Sequence, residues 1–169
     1  MAEPHSVLNA LSLLAAREAL TRCCGAQRWV EAMLARRPFS STAQLLAASD
    51  AVTATLTRAD QLEAFSHHPQ IGADVSELQR KFASTAGLSA DEQAGARGVD
   101  LRTLEALRDQ NRAYAQRFGY IFIVCATGKT AAEMLGLLEQ RLGNDPDDEL
   151  RIAAAEQAKI AKLRLEKIA

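Results

Sequence analysis

The stretch Y-I-F-I-V-C-A-T-G-K-T, residues 120–130, decides the fold class. It is the only run in the chain rich in β-branched and aromatic residues, and by itself such a run reads as a strand. A strand must pair, because its backbone N–H and C=O groups need partners once they are buried. No second run of this kind exists to pair with it. The sequence therefore predicts one extended segment, in part open to helical conformation, buried in an otherwise all-α single domain spanning residues 1–169. About eight helices are expected in one compact bundle.

Working outward from this segment, Gly119 stops a strongly periodic helix over residues 101–118. Leu104, Leu107, Asn111, Tyr114 and Phe118 fall on one side of it. On the other side Thr130 caps a helix to residue 142, and Asp145-Pro146 opens a last helix to about residue 168, with proline suited to the first turn. Nearer the N-terminus Ser6 caps a helix over 7–24 that Gly25 ends. Trp29, Val30, Met33 and Leu34 form the apolar face of a second helix, which stops before Pro38. A third covers about 41–56 and a short one 58–66, which Pro69 ends. Asp74 or Ser76 opens another through residue 82, and Ser89 starts a short acidic segment.

A chain of 169 residues that is 48% hydrophobic can bury a substantial core. A net charge of −1 gives no basic stripe for nucleic acid. No apolar run reaches the roughly 20 residues that span a bilayer, and the N-terminus lacks the pattern of a secretory signal. The expectation is a soluble, cytoplasmic protein with neither a membrane nor a nucleic acid as partner. Cys23, Cys24 and Cys125 are odd in number and include no C-x-x-C pair, which predicts buried reduced thiols rather than disulfides or a zinc site.

Four places in the sequence offer chemistry. The first is F-S-H-H-P, residues 65–69. A residue before proline is pushed out of helical geometry, so His68 sits at a helix break. The helix dipole favours its charged form, and its intrinsic pKa lies near neutrality, which suits a general acid or base. The same residues also read as a plain polar helix end. A metal pair is disfavoured, because adjacent side chains diverge and no H-E-x-x-H pattern exists. The second is S-A-D-E-Q, residues 89–93. Ser89 and Glu92 fit a capping box, and the helix N-terminus behind them could receive an anion. The third is the extended run itself, whose backbone amides could bond a flat, amide-rich ligand, or simply connect helices through the core. The fourth is Arg164, set between Leu163 and Leu165, which could turn inward to a carboxylate of the protein or a substrate.

In chain order, the sequence contains L-N-A-L (8–11), R-W-V-E-A-M (28–33), R-P-F (37–39), H-P-Q-I-G (68–72), S-A-D-E-Q (89–93), N-R-A-Y-A-Q-R-F-G-Y-I-F-I (111–123), R-L-G-N-D (141–145) and E-Q-A-K-I-A-K-L-R-L (156–165). Each motif is weak alone. In this order and spacing they resemble the OHCU decarboxylases, over nearly the whole chain. The resemblance implies an all-helical, cofactor-free, usually dimeric enzyme, and no metal ligands are expected. Its small-molecule substrate is 2-oxo-4-hydroxy-4-carboxy-5-ureidoimidazoline, and its product is (S)-allantoin.

By the same resemblance the essential histidine, immediately before the proline, is His68, and His67 is a bystander. Glu92 orients and charge-tunes His68 or shuttles the last proton. Pro69, Ser89 and Gln93 contribute to substrate binding, and Phe122, Ile123, Val124, Cys125 and Ala126 do so largely through backbone. Tyr120 stands where phenylalanine is commoner, a departure that affects packing. Arg164 maps onto the family's C-terminal arginine, where pairing with Glu92 or a helix end suits it better than gripping the leaving carboxylate. The ending K-I-A lacks a peroxisomal tripeptide, in keeping with a bacterial-style cytoplasmic enzyme. Two other readings compete: a lyase or hydrolase acting on another ureide, and a non-catalytic helical interaction module.

Overall fold

A computed structural model describes residues 2–69, 76 and 101–169 of the chain. The described residues form helices and connecting segments, with no strand among them, so the all-α class holds. Eight helices are described: α1 (Pro4–Ala10), α2 (Leu13–Cys23), α3 (Gln27–Leu34), α4 (Thr42–Thr53), α5 (Arg58–Ser66), α6 (Leu101–Phe118), α7 (Ala131–Leu142) and α8 (Pro146–Leu165). None is long and apolar enough to cross a membrane. The chain packs as two compact units, Met1–His68 with Ile152–Ala169, and Pro69–Arg151.

In the first unit α3 packs on α2, α4 and α5, and α1 packs on α2 and α4. Trp29, Met33, Leu8, Leu20 and Leu45 are fully buried there, and Ala161 and Leu165 of α8 join the same core. Local chemistry sets the helix starts. Ser12 and Ser41 accept from backbone amides three residues on, and Thr57 and Asp60 form a reciprocal capping box. The helix expected over 7–24 is in fact two. Leu11 is extended and Ser12 caps a fresh start. The cause is tertiary. Asn9 exchanges two hydrogen bonds with the backbone of Phe39, Nδ2 donating to its carbonyl at 2.7 Å and Oδ1 accepting from its amide at 2.9 Å. Arg37 Nη2 donates to the carbonyls of Asn9 and Leu11 at 2.9 and 2.6 Å. The carbonyls that α1 would hand to a continuing helix are thus taken from outside. The start of α1 is likewise set by Pro4 in its first turn, with Glu3 at the N-cap, rather than by Ser6.

In the second unit α6 packs along α7. Its buried face is Leu104, Leu107, Asn111, Tyr114 and Phe118, the side read from the sequence. Gly119 follows at φ +79°, a left-handed position that favours glycine. Residues 121–126 then run without regular structure, Phe122, Ile123 and Val124 being buried. Thr130 and Glu133 close a capping box at the start of α7. The helix expected from Asp74 or Ser76 to 82, and the acidic segment from Ser89, lie outside the described residues, apart from Ser76, which is helical and exposed.

Candidate active site

The end of α5 sets the position of His68. His67 is the C-cap, still in helical conformation, and the amide of His68 donates to the carbonyl of Phe65 at 3.1 Å. That tightened last turn uses up the chain's helical bonding just before Pro69, whose missing N–H could not extend it. His67 is exposed and lies against Gly25. A Cβ at position 25 would stand 2.2 Å from its Cγ, so only glycine admits the ring there. His68 is half-buried. It lines a cavity of about 370 Å³ with Thr21, Arg22, Gly25, His67 and Arg164.

Inside the first unit, Gln157 of α8 is 4% exposed and its Oε1 accepts a hydrogen bond from His68 Nε2. Burial pulls the His68 imidazole below the ordinary histidine range. The bond to Gln157 opposes that pull, and the positive charge of Arg164 and neighbouring His67 add to it. This differs from the sequence expectation, in which the helix dipole favoured the charged ring. Desolvation and a guanidinium outweigh a terminal dipole. The imidazole is therefore neutral at pH 7, a form able to accept a proton.

Arg164 is exposed rather than turned inward, and its Nη1 donates to the carbonyl of Arg22 in the last turn of α2 at 3.0 Å. It closes a helix end while leaving its charge at the cavity. With Arg22 it gives the cavity two cationic walls, which favour an anionic ligand. Cys23 and Cys24 are buried near these arginines, and Cys125 is half-buried; none of the three is in a disulfide. Burial pushes the Cys23 thiol up to about 11, which makes it a poor nucleophile.

In the second unit the predicted backbone site has its own scaffold. Arg141, 6% exposed, donates from Nη1 to the Ile123 carbonyl at 2.7 Å and from Nε to Glu149 Oε1 at 2.7 Å. Its guanidinium carbon lies 4.6 Å from the Phe122 ring centroid. Glu149 is fully buried. It also accepts from Tyr114 Oη at 2.5 Å and Asn144 Nδ2 at 2.9 Å. This network bonds the central carbonyl of the lone extended run. Lys129 takes the carbonyl of Cys125 through Nζ at 2.8 Å and that of Ala126 through its amide at 3.1 Å. The Phe122 and Val124 carbonyls form no hydrogen bond among the described residues. Pro69 is exposed beside His68. Ser89, Glu92 and Gln93 lie outside the described residues, as does any contact between Glu92 and His68. No group of three His, Cys, Asp or Glu side chains fit to hold a metal occurs among the described residues.

Sequence reasoning missed Gln157, Gly25, Arg22 and the Arg141–Glu149–Tyr114 network. One signal was available for Gln157. It precedes Arg164 by seven residues, two turns of one helix, so both fall on the same face.

The sequence model of a family described as OHCU decarboxylase matches residues 9–166. The chain is 40% identical over 148 residues to the "Uric acid degradation bifunctional protein TTL" of Arabidopsis thaliana, covering 86% of this chain and 45% of that protein. This chain thus spans less than half the length of that relative. It is 31% identical over 132 residues to the "2-oxo-4-hydroxy-4-carboxy-5-ureidoimidazoline decarboxylase" of Amia calva, covering 78% of this chain and 74% of the relative. Among solved structures, the "Crystal structure of OHCU decarboxylase in the presence of (S)-allantoin" superposes with a TM-score of 0.68 at 38% identity, over 88% of this chain and 94% of that one.

Proposed function

Since this chain belongs to the OHCU decarboxylase family, we propose that it removes CO2 from 2-oxo-4-hydroxy-4-carboxy-5-ureidoimidazoline and yields (S)-allantoin in urate breakdown. The relatives named for this activity or for uric acid degradation support that reading. So does one family match that runs through both compact units, which favours a single functional domain over residues 1–169.

The chemistry asks little beyond preorganised polar groups. Loss of CO2 leaves an electron pair, and the C=N bond beside the carboxylated carbon of this substrate can receive it. The intermediate is enol-like. The protein's part is to take the proton from the 4-hydroxyl, hold the carboxylate out of the ring plane and return that proton to one face of the neighbouring carbon, while the former imine nitrogen takes a second proton from solvent. His68 suits the first of these roles, because it is neutral at pH 7 and faces a cavity whose cations attract an anion. That single placement carries the proposal. Arg164, tied to the end of α2, supplies field without gripping the leaving carboxylate, a grip that would stabilise the ground state and oppose the reaction. Glu92 is assigned to tuning His68 or shuttling the final proton. Ser89 and Gln93 are assigned to the ureido and ring amides. Phe122, Ile123, Val124, Cys125 and Ala126 are assigned to holding the ring edge largely through backbone.

The protein is further proposed to act in the cytoplasm as a homodimer. Leu13 and Leu14, 64% and 67% exposed at the start of α2, support a covered apolar surface there. Sedimentation at micromolar concentration checks the dimer.

The test of function is circular dichroism of the allantoin formed from urate by a urate oxidase and a hydroxyisourate hydrolase, with and without this protein. Spontaneous decay gives racemate; the protein should give one hand, faster. Racemic product at the spontaneous rate refutes the proposal, and near-normal turnover by His68→Ala refutes the role of the imidazole.

A further inference from the structure

Gln157 is a polar side chain where an apolar one would serve packing better. It is 4% exposed, and among the described residues its Nε2 has no hydrogen-bond partner. A buried amide nitrogen left unbonded loses water and gains nothing. The bond its side chain does make goes to Nε2 of His68, across 89 residues of sequence.

A neutral imidazole carries one proton, and an acceptor at one ring nitrogen requires the proton to be there. We propose that Gln157 is a positioning residue that holds His68 as the Nε2–H tautomer, leaving Nδ1 with the lone pair that takes and returns the substrate's proton. This rests on the decarboxylase reading of the site above. The choice of amide over acid follows from the surroundings. Among the described residues, the charged or titratable groups at the cavity beside His68 are His67 on its own turn, Arg22 from α2 and Arg164 from α8. A carboxylate at position 157 would pair with the ring and hold it as imidazolium, with no lone pair near pH 7. A carboxamide fixes the tautomer and leaves the ring uncharged. Glycine at position 25 leaves room for the neighbouring His67 ring, which a Cβ there would meet at 2.2 Å.

The experiment reads the His68 ring directly, in long-range 1H–15N correlation spectra of the labelled full chain. His67→Gln and His68→Gln variants assign the signals among the three histidines. In the wild type above pH 7 the pattern of an Nε2–H ring is expected, and Gln157→Leu should give a mixture of both tautomers. The pH dependence of kcat/KM on freshly generated substrate is the second readout. Gln157→Glu should move the acid limb up by about one pH unit or more, and Gln157→Leu should move it down, because the acceptor that favours the protonated ring is gone. A purely structural role would scale the profile without moving its limb in opposite directions. An Nδ1–H ring in the wild type, or one tautomer and one limb shared by all Gln157 variants, overturns the inference. Should the leucine variant not fold, the direction of the shift in Gln157→Glu decides. The decarboxylase reading fails separately, through racemic allantoin formed at the spontaneous rate in the presence of the wild type, while the spectra still report what Gln157 does to the ring.

Discussion

Replacing Glu149 by glutamine tests whether a buried charge network holds the extended segment in place. Glu149 is fully buried, and its two carboxylate oxygens serve three side chains: Arg141, through Nε at 2.7 Å and Nη2 at 2.5 Å, Tyr114 Oη at 2.5 Å and Asn144 Nδ2 at 2.9 Å. Glutamine keeps the shape but turns one oxygen into a donor and removes the charge opposite Arg141, itself 6% exposed. Removing one member of a buried pair is worth about 3–5 kcal/mol, mostly the burden of the charge left behind. Against a typical total of about 5–15 kcal/mol that is a large share. At about 2–4 °C per kcal/mol it predicts a Tm lower by about 6–20 °C. Both tyrosines, Tyr114 and Tyr120, belong to this network's unit and the sole tryptophan, Trp29, to the other. Near-UV circular dichroism of tyrosine during urea unfolding therefore reports the affected unit, and Trp29 fluorescence shows whether the other melts with it. Removing both charges, as in Arg141→Met with Glu149→Gln, should cost less than the sum of the single changes by about 1–3 kcal/mol. A loss below about 1 kcal/mol for Glu149→Gln, or simple additivity, would refute the network's role.

Other perturbations probe the first unit. Gly25→Ala drives a Cβ to 2.2 Å from the His67 ring and should cost about 1–3 kcal/mol by overpacking, with lower kcat because His68 is the next residue; thermal melts and turnover check it. Asn9→Ala removes both bonds to the Phe39 backbone and should cost about 1–3 kcal/mol at roughly 0.5–1.5 per bond, with turnover per folded molecule unchanged. Two titrations have definite signs. The buried Cys23 thiol is raised to about 11 from 9.0, so its neutral form is favoured by the fold; stability is full below pH 9 and falls toward pH 11 at up to about 1.4 kcal/mol per unit, a slope that Cys23→Ala should flatten in urea titrations. His68 is held below 6.5, so its neutral form is favoured; stability is full above pH 6.5 and falls as acid protonates the ring, and the acid limb of kcat/KM lies below 6.5.

The helices that could be read from the sequence are those whose ends are settled within a few residues. The helix α5 stops where His68 meets Pro69, α6 ends at a glycine with φ +79°, and α7 begins at a Thr130–Glu133 box. Its five-residue buried face made α6 legible residue by residue. The break between α1 and α2 was not legible, because its causes are Phe39 and Arg37, some 26–30 residues away. The same holds for the extended run. Its β-branched composition was plain, but what bonds it in place of a sister strand is an arginine 18 residues on, itself held by a buried glutamate.

The motifs that signalled the family divide by physical duty, and this explains why the site was only half visible. L-N-A-L and R-P-F meet through Asn9, Arg37 and Phe39, R-W-V-E-A-M supplies the buried Trp29 and Met33, and R-L-G-N-D supplies Arg141 and Asn144. These keep a scaffold. H-H-P and E-Q-A-K-I-A-K-L-R-L meet at His68, which bonds Gln157 of α8 and lines one cavity with Arg164 of the same helix. Local sequence points to a histidine at a break, but the helix dipole alone gives its charge preference the wrong sign. What reverses the sign is burial together with a guanidinium from the far end of the chain. A base that must stay uncharged near pH 7 is served by those cations and an uncharged partner, and a carboxamide bonds an imidazole without charging it.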